Sequence, residues 1–292
     1  MPTIRSTYES SGEWLRGNLH SHTTMTDGTR AAEEVIADYE QRGYDYLAIS
    51  DHDHFVNPDD YQDRTGLILL PAVEVTARGP HILHVGATGP VEPNENRQNV
   101  IDSISAQNAF SVLNHPNWQS HYNHCPQELM ESLVGYTGIE IYNGVIERLE
   151  GIPLATDRWD RLLSQGKKVW GFGTDDAHAP QDVAIAWSVV QVDSQSPEDI
   201  IEALRTGGFY ASTGVTIMEI ATTEAVITVR TENADRIRLI GDYGVIQKTE
   251  EAPSATFRVP DDLTNRGNAT YARVECYGSG GRMAWTQPFF LS

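Results

Sequence analysis

Short apolar runs recur along residues 45–178, and polar side chains able to bind metals stand where the runs stop. Y-L-A-I leads into S-D-H-D-H, with His52; I-L-L-P-A-V leads into E-V-T, with Glu74; S-V-L leads into N-H-P, with His115. G-I-E-I-Y-N carries Glu140 close to its end, and V-W-G-F-G-T closes on D-D-A-H, with Asp176 and His178. Runs this short, rich in Val, Ile and Leu, predict strands buried on both faces. Between them lie stretches of helical spacing. After Thr29, a predicted N-cap, Ala32, Val35, Ile36 and Tyr39 fall on one helix face and Gly43 stops it; further helices are expected near residues 94–107, 127–133 and 154–164. Strands alternating with helices imply an α/β chain with a mostly parallel sheet, open or closed. In such folds reactive groups gather at the carboxyl ends of strands.

From about Thr216 the pattern changes. I-M-E-I-A, A-V-I-T-V-R-T, R-I-R-L-I, A-T-F-R-V and T-Y-A-R-V-E-C-Y are short alternating segments separated by turn residues, and no histidine occurs among them. They predict a small antiparallel β-sandwich over 216–292, following a larger unit over 1–215. A length of 292 residues suits that division.

The formal net charge is −20, with Lys167, Lys168 and Lys248 as the only lysines, so duplex nucleic acid is not an expected partner. A small phosphorylated or ester substrate fits better, because bound divalent cations reverse the sign of a local site. No apolar run approaches a membrane span and M-P-T-I-R-S-T-Y-E-S-S-G-E lacks an apolar leader segment, so a cytoplasmic protein without membrane association is expected. Oligomeric state is not legible. Cys125 and Cys276, the only cysteines, are far apart in sequence, which leaves a metal site to histidines and carboxylates. No G-x-S-x-G elbow and no P-loop occurs.

In G-N-L-H-S-H-T-T-M-T-D-G, residues 17–28, His20 and His22 would share one side of a strand. Together with the polar residues at the other strand ends they predict a polynuclear metal centre. Oxygen and imidazole donors without thiolate suit two to three divalent ions, Zn, Mn or Fe, and a carboxylate between histidines is placed to bridge two of them. Ions so bridged would share a hydroxide that serves as nucleophile, giving hydrolysis without Ser or Cys.

L-H-S-H-T-T-M-T-D-G, I-S-D-H-D, A-V-E-V-T, H-I-L-H-V-G, N-H-P and G-T-D-D-A-H together resemble the polymerase and histidinol phosphatase (PHP) superfamily of metal-dependent hydrolases over residues 17–215. The resemblance implies a distorted (β/α)7 barrel with up to three metals. It places His20, His22, Glu74 and Asp176 on one ion, Glu74, His84 and His115 on a second, and Asp27, His52 and His178 on a third. It also implies catalytic roles for Glu74, Asp176 and His178. His84 is preferred over His81 by its place in H-I-L-H-V-G, and Asp176 over Asp175 by the D-x-H spacing. Asp51 and Asp53 are expected to orient ligand imidazoles, with Glu140 as a further supporting group. Arg78, His121 and His124 are the candidates for substrate contact. G-G-F-Y-A-S-T-G and the segment from Tyr271 to Leu291 resemble the branch named after the carbaryl hydrolases (CehA/McbA type), which ends in a β domain. The expected activity is hydrolysis of a small phosphoester or a related ester or carbamate. The alternatives are a non-catalytic metal-binding or recognition protein, and a 5′-end nuclease acting on short single strands.

Overall fold

In the computed structural model, which describes residues 3–8, 12–263 and 269–291, the apolar runs become strands in the anticipated alternation with helices. The order is β1 (Ile4–Arg5), β2 (Glu13–Asn18), α1 (Ala32–Gln41), β3 (Tyr46–Ile49), β4 (Ile68–Val75), β5 (Ile82–Val85), α2 (Arg97–Ala106), β6 (Phe110–Leu113) and α3 (Gln127–Ser132). There follow β7 (Gly138–Asn143), α4 (Thr156–Ser164), β8 (Trp170–Thr174), β9 (Trp187–Val192), α5 (Pro197–Thr206) and β10 (Phe209–Ser212). The N-cap of α1 is Ala31, two residues beyond Thr29: Glu34 accepts the Ala31 N–H, while Thr29 donates its N–H and hydroxyl to the His178 carbonyl. The predicted cap therefore holds a loop of the site instead.

β2, β3 and β4 are parallel neighbours, β5 runs antiparallel to both β4 and β6, and β6, β7 and β8 are again parallel. β9 flanks β2 antiparallel. Alternation sorts the side chains: Tyr46, Ala48, Leu70, Ala72, Leu83, Phe110 and Phe172 fill the concave side. Leu47, Ile49 and Leu69 pack on α1, while Ile82, Leu113, Ile139 and Ile141 pack among residues of α2 and α4. The barrel implied by the family resemblance is not closed. Among the described residues no ladder joins β8 to β9, and the Ser188 hydroxyl donates to the Gly173 carbonyl (3.1 Å) in its place. A Cβ at Gly173 would lie 2.9 Å from the Trp187 carbonyl oxygen, so glycine permits this approach.

The remaining strands are β11 (Ile217–Thr222), β12 (Val226–Thr231), β13 (Ala234–Gly241), β14 (Val245–Glu250), β15 (Ser254–Arg258), β16 (Tyr271–Gly278), β17 (Met283–Thr286) and β18 (Phe289–Leu291). β11, β12 and β15 form a separate three-stranded sheet, packed through Ile220, Val229 and Phe257 on a core shared with Leu239, Val274 and Tyr210. β17 pairs with β10, so the other C-terminal strands continue the sheet of the α/β part. A buried ion group also spans the two parts: Arg273 on β16 donates twice to Asp160 on α4 (2.8 and 2.8 Å) and once to Glu275 (2.7 Å). Among the described residues no helix is long and apolar enough to cross a membrane.

Candidate metal centre

Glu74 lies on the inner face of β4, two residues beyond Ala72, and is fully buried. Its Oε1 is 3.2 Å from His20 Nε2, 3.2 Å from His115 Nε2 and 3.1 Å from His81 Nδ1; its Oε2 is 2.7 Å from His52 Nδ1. Four histidines from separate strand ends thus face one carboxylate. Burial opposes the charge of Glu74, but the neighbouring imidazoles outweigh it and hold the carboxyl well below its ordinary range.

The H-S-H segment reaches this point because β2 ends at Asn18, whose side-chain oxygen accepts the His20 N–H (3.0 Å). A single parallel bridge between Ser21 and Ala177 then sets H-S-H beside D-A-H. His20 Nε2 and His22 Nε2 lie 3.2 and 3.0 Å from Asp176 Oδ1. Asp176 has φ +54°, a left-handed turn that swings its carboxylate into the cluster directly after Asp175. Asp175 points elsewhere: it accepts the Ala184, Ile185 and Ala186 N–H groups and the Tyr39 hydroxyl.

Asp27 Oδ2 stands 3.3 Å from His52 Nε2 and 3.4 Å from His178 Nε2. The His178 Nδ1–H donates to the Asp176 carbonyl (2.8 Å), which leaves the Nε2 lone pair facing Asp27. Gly28 follows Asp27 for a steric reason, since a Cβ there would lie 2.5 Å from the His22 carbonyl oxygen.

The preference for His84 over His81 is corrected by strand alternation. Glu74 pairs with Leu83 and Val73 with His84 across β4 and β5, so His84 lies on the outer face with both ring nitrogens buried and unpaired. His81 precedes β5 in inward phase and reaches Glu74 directly. Its N–H donates to His124 Nε2 (3.0 Å), and the His124 ring packs against those of His81, His115 and Trp118. His121 and Arg78 are exposed and neither lines the cleft described below. Asp51 accepts from Thr23 and Thr26, and Asp53 from Thr76 and Ala77, so both brace loops and neither meets an imidazole. Glu140 does meet one: its Oε1 accepts from His20 Nδ1 (2.7 Å) and the Thr174 hydroxyl (2.6 Å), and its Oε2 accepts the His115 N–H (2.7 Å).

Two asparagines that sequence reasoning left without a role join the cluster. Asn114 donates to Glu74 Oε1 (2.7 Å), and Asn143 donates to Glu140 Oε2 (2.8 Å) and Asp176 Oδ2 (3.1 Å). Both stand at the ends of the runs already singled out, and that position is the one signal for them. His115, next to Asn114, shares its side because φ is +25° there; a register shift after Glu140 does the same for Asn143.

The donor set fits divalent ions. Ligand atoms of His20, His22 and Asp176, of His20, Glu74 and His115, and of His22, Asp27, His52 and His178 lie within 4.8 Å of one another in each group. His20 Nε2, Glu74 Oε2 and His115 Nδ1 are buried and make no hydrogen bond of acceptable geometry, Glu74 Oε2 despite lying 2.7 Å from His52 Nδ1, and the donors are nitrogen and oxygen only. Above them opens a cleft of about 460 Å³, walled by Trp118, Val145, Ile146, Arg148 and Leu149.

No family model and no curated protein matches the chain. Among solved structures it is similar to a two-domain protein from Bacteroides vulgatus containing a predicted PHP-like metal-dependent phosphoesterase. The two share 17% identity with a TM-score of 0.58, over 98% of this chain and 90% of that one. That likeness shows a shared fold along nearly the whole chain. Partial likenesses extend to an amidohydrolase from Chromobacterium violaceum (18% identity, TM-score 0.44, 57% of this chain and 89% of that one) and to a lesion-specific endonuclease from Pyrococcus furiosus (16% identity, TM-score 0.47, 68% and 57%).

Proposed function

We propose that the protein is a metal-dependent hydrolase of the PHP superfamily that cleaves a small phosphoester or a related ester or carbamate. The observation that carries this reading is the convergence of His20, His52, His81 and His115 on the buried Glu74, with Asp176 beside it. His20, His22, Glu74 and Asp176 would hold one ion, Glu74, His81 and His115 a second, and Asp27, His52 and His178 a third. Bound divalent ions would polarise the scissile group and make water nucleophilic near neutral pH. Glu140 keeps the His20 Nδ1–H engaged and its Nε2 directed at the carboxylates. Asn114 and Asn143 orient Glu74 and Asp176, and His178 faces the cleft where a substrate would lie. The net charge of −20 favours a small substrate over a nuclease role. The motifs G-G-F-Y-A-S-T-G and Y-A-R-V-E-C-Y support placement in the carbaryl-hydrolase-like branch.

The test is element analysis after incubation with Zn, Mn or Fe(II), followed by chromogenic phosphomonoesters, diesters, triesters, carboxyl esters and carbamates. Two or more ions per chain and turnover of at least one class are expected. A protein that retains no divalent ion would overturn the reading.

A further inference from the structure

We infer that the cleft takes a singly charged ester whose body beyond the scissile group is apolar and ring-sized, with its one negative charge facing Arg148. This rests on the hydrolase reading, which assigns the scissile group to the His and carboxylate floor; the inference concerns the walls. One wall is apolar. Val145, Ile146 and Leu149 come from the segment after β7, and Trp118 from the loop after β6. These segments are stitched together, with Gln119 N–H donating to the Glu150 carbonyl (2.9 Å), Ile152 N–H to the Asn117 carbonyl (3.1 Å), and Trp118 bridged to Gly151. The wall is therefore a preformed surface that a flat group can cover without first ordering a loop.

Arg148 is the only Lys or Arg lining the cleft among the described residues. Its Nε and Nη2 donate to Asp182 Oδ1 (2.6 Å) and Oδ2 (2.7 Å), and Nη1 has no partner among the described residues. Asp182 is buried and also accepts the His178 N–H (3.1 Å) and Ala179 N–H (2.9 Å), so the guanidinium is aimed from the loop that carries His178. The bidentate pairing fixes its plane and offsets its charge, leaving one directed donor edge. Such an edge suits one singly charged oxyanion group. A second phosphate on the substrate body would find no further cationic side chain on these walls, so nucleoside diphosphates, sugar bisphosphates and oligonucleotides do not fit.

The experiment compares, on Mn(II)- or Zn-loaded protein, p-nitrophenyl phosphate, methyl p-nitrophenyl phosphate and phenyl p-nitrophenyl phosphate. It is run beside calorimetric titration with diphenyl phosphate, which reads binding without turnover. The phenyl diester is expected to exceed both others in kcat/KM by about tenfold or more, and Trp118→Ala to erase its advantage over the methyl diester. Arg148→Met is expected to raise KM for the phenyl diester about tenfold with little change in kcat, and to weaken diphenyl phosphate binding equally. Arg148→Lys, which keeps a cation beside Asp182 but loses the planar donor edge, should behave alike if the fold needs that pair. His121→Ala should leave all readouts unchanged. Preference for the monoester, or diphenyl phosphate binding that ignores both Arg148 and Trp118, overturns the inference and leaves the hydrolase reading intact. Binding that depends on both residues, with no ester turned over, supports the ligand class and sinks the hydrolase reading.

Discussion

Glu74 has five imidazole neighbours within 4 Å and one amide donor, and every contact uses one of two buried oxygens. Glu74→Gln keeps the shape but removes the charge that two ion positions would share. It is expected to lower metal retention and cut kcat/KM by about 100-fold, the upper range for lost support of a metal ligand. His121→Ala, at an exposed loop position, is expected to stay within about twofold of wild type. Metal content and kcat/KM measured on both variants decide it: equal residual activity at equal metal content would show that Glu74 does not serve two ions. His81 and His121, alike in side chain, differ in what the fold sets beside them: His81 meets Glu74 and His121 is exposed.

On β5 the period-two alternation assigns His81 and His84 opposite fates, and the outer one makes the strand sensitive to acid. Burial pushes the His84 imidazole down to about 4, whereas an unfolded histidine titrates near 6.5. Between these values the unfolded chain binds a proton that the folded chain refuses, so stability falls as pH drops from about 6.5 to about 4 and this term is constant outside that window. His84→Leu is expected to be less acid-sensitive by roughly 2 kcal/mol between pH 7.5 and pH 5, read by urea unfolding. Identical pH dependence in both proteins would refute it. The contact between α4 and β16 is governed by the Asp160–Arg273–Glu275 group, where the Tyr271 hydroxyl also donates to Asp160 (2.7 Å). Asp160→Ala leaves a buried guanidinium without its two-pronged partner, at an expected cost of about 3–5 kcal/mol in urea unfolding. A loss below about 1 kcal/mol would show that water reaches Arg273.

Across the whole molecule, one sheet passes from β8 at one end through β2, β9, β10 and β17 to the C-terminal strands, and Tyr210 and Val189 share a core with Val274 and Phe257. The change of pattern near residue 216 therefore does not interrupt the packing, and heat or urea is expected to unfold both parts in one transition, with far- and near-ultraviolet circular dichroism coincident. Two resolved transitions would mark residue 216 as a true folding boundary. Divalent ions that bind only the folded site should add about 2.7 kcal/mol at a concentration 100 times their dissociation constant, lost again on chelation. An unchanged melting temperature with and without such ions would count against the site. Local information carried much of this: apolar runs and helical spacing are set by neighbouring residues, so the α/β order and the strand ends bearing His20, His22, Glu74, His115 and Asp176 were legible. So was the scarcity of thiols that confines the donors to nitrogen and oxygen. Tertiary structure decided what depends on distant partners or on breaks in alternation. Asp51 and Asp53 have the same hydrogen-bonding chemistry whether they meet an imidazole or a loop amide, and Thr29 whether it caps a helix or donates to a loop carbonyl; only the fold sets which group is near. His115 and Asn143 reach the site through a positive φ and a register shift that no period-two pattern contains, and β8 stays unpaired with β9 because closure depends on the curvature of the whole sheet.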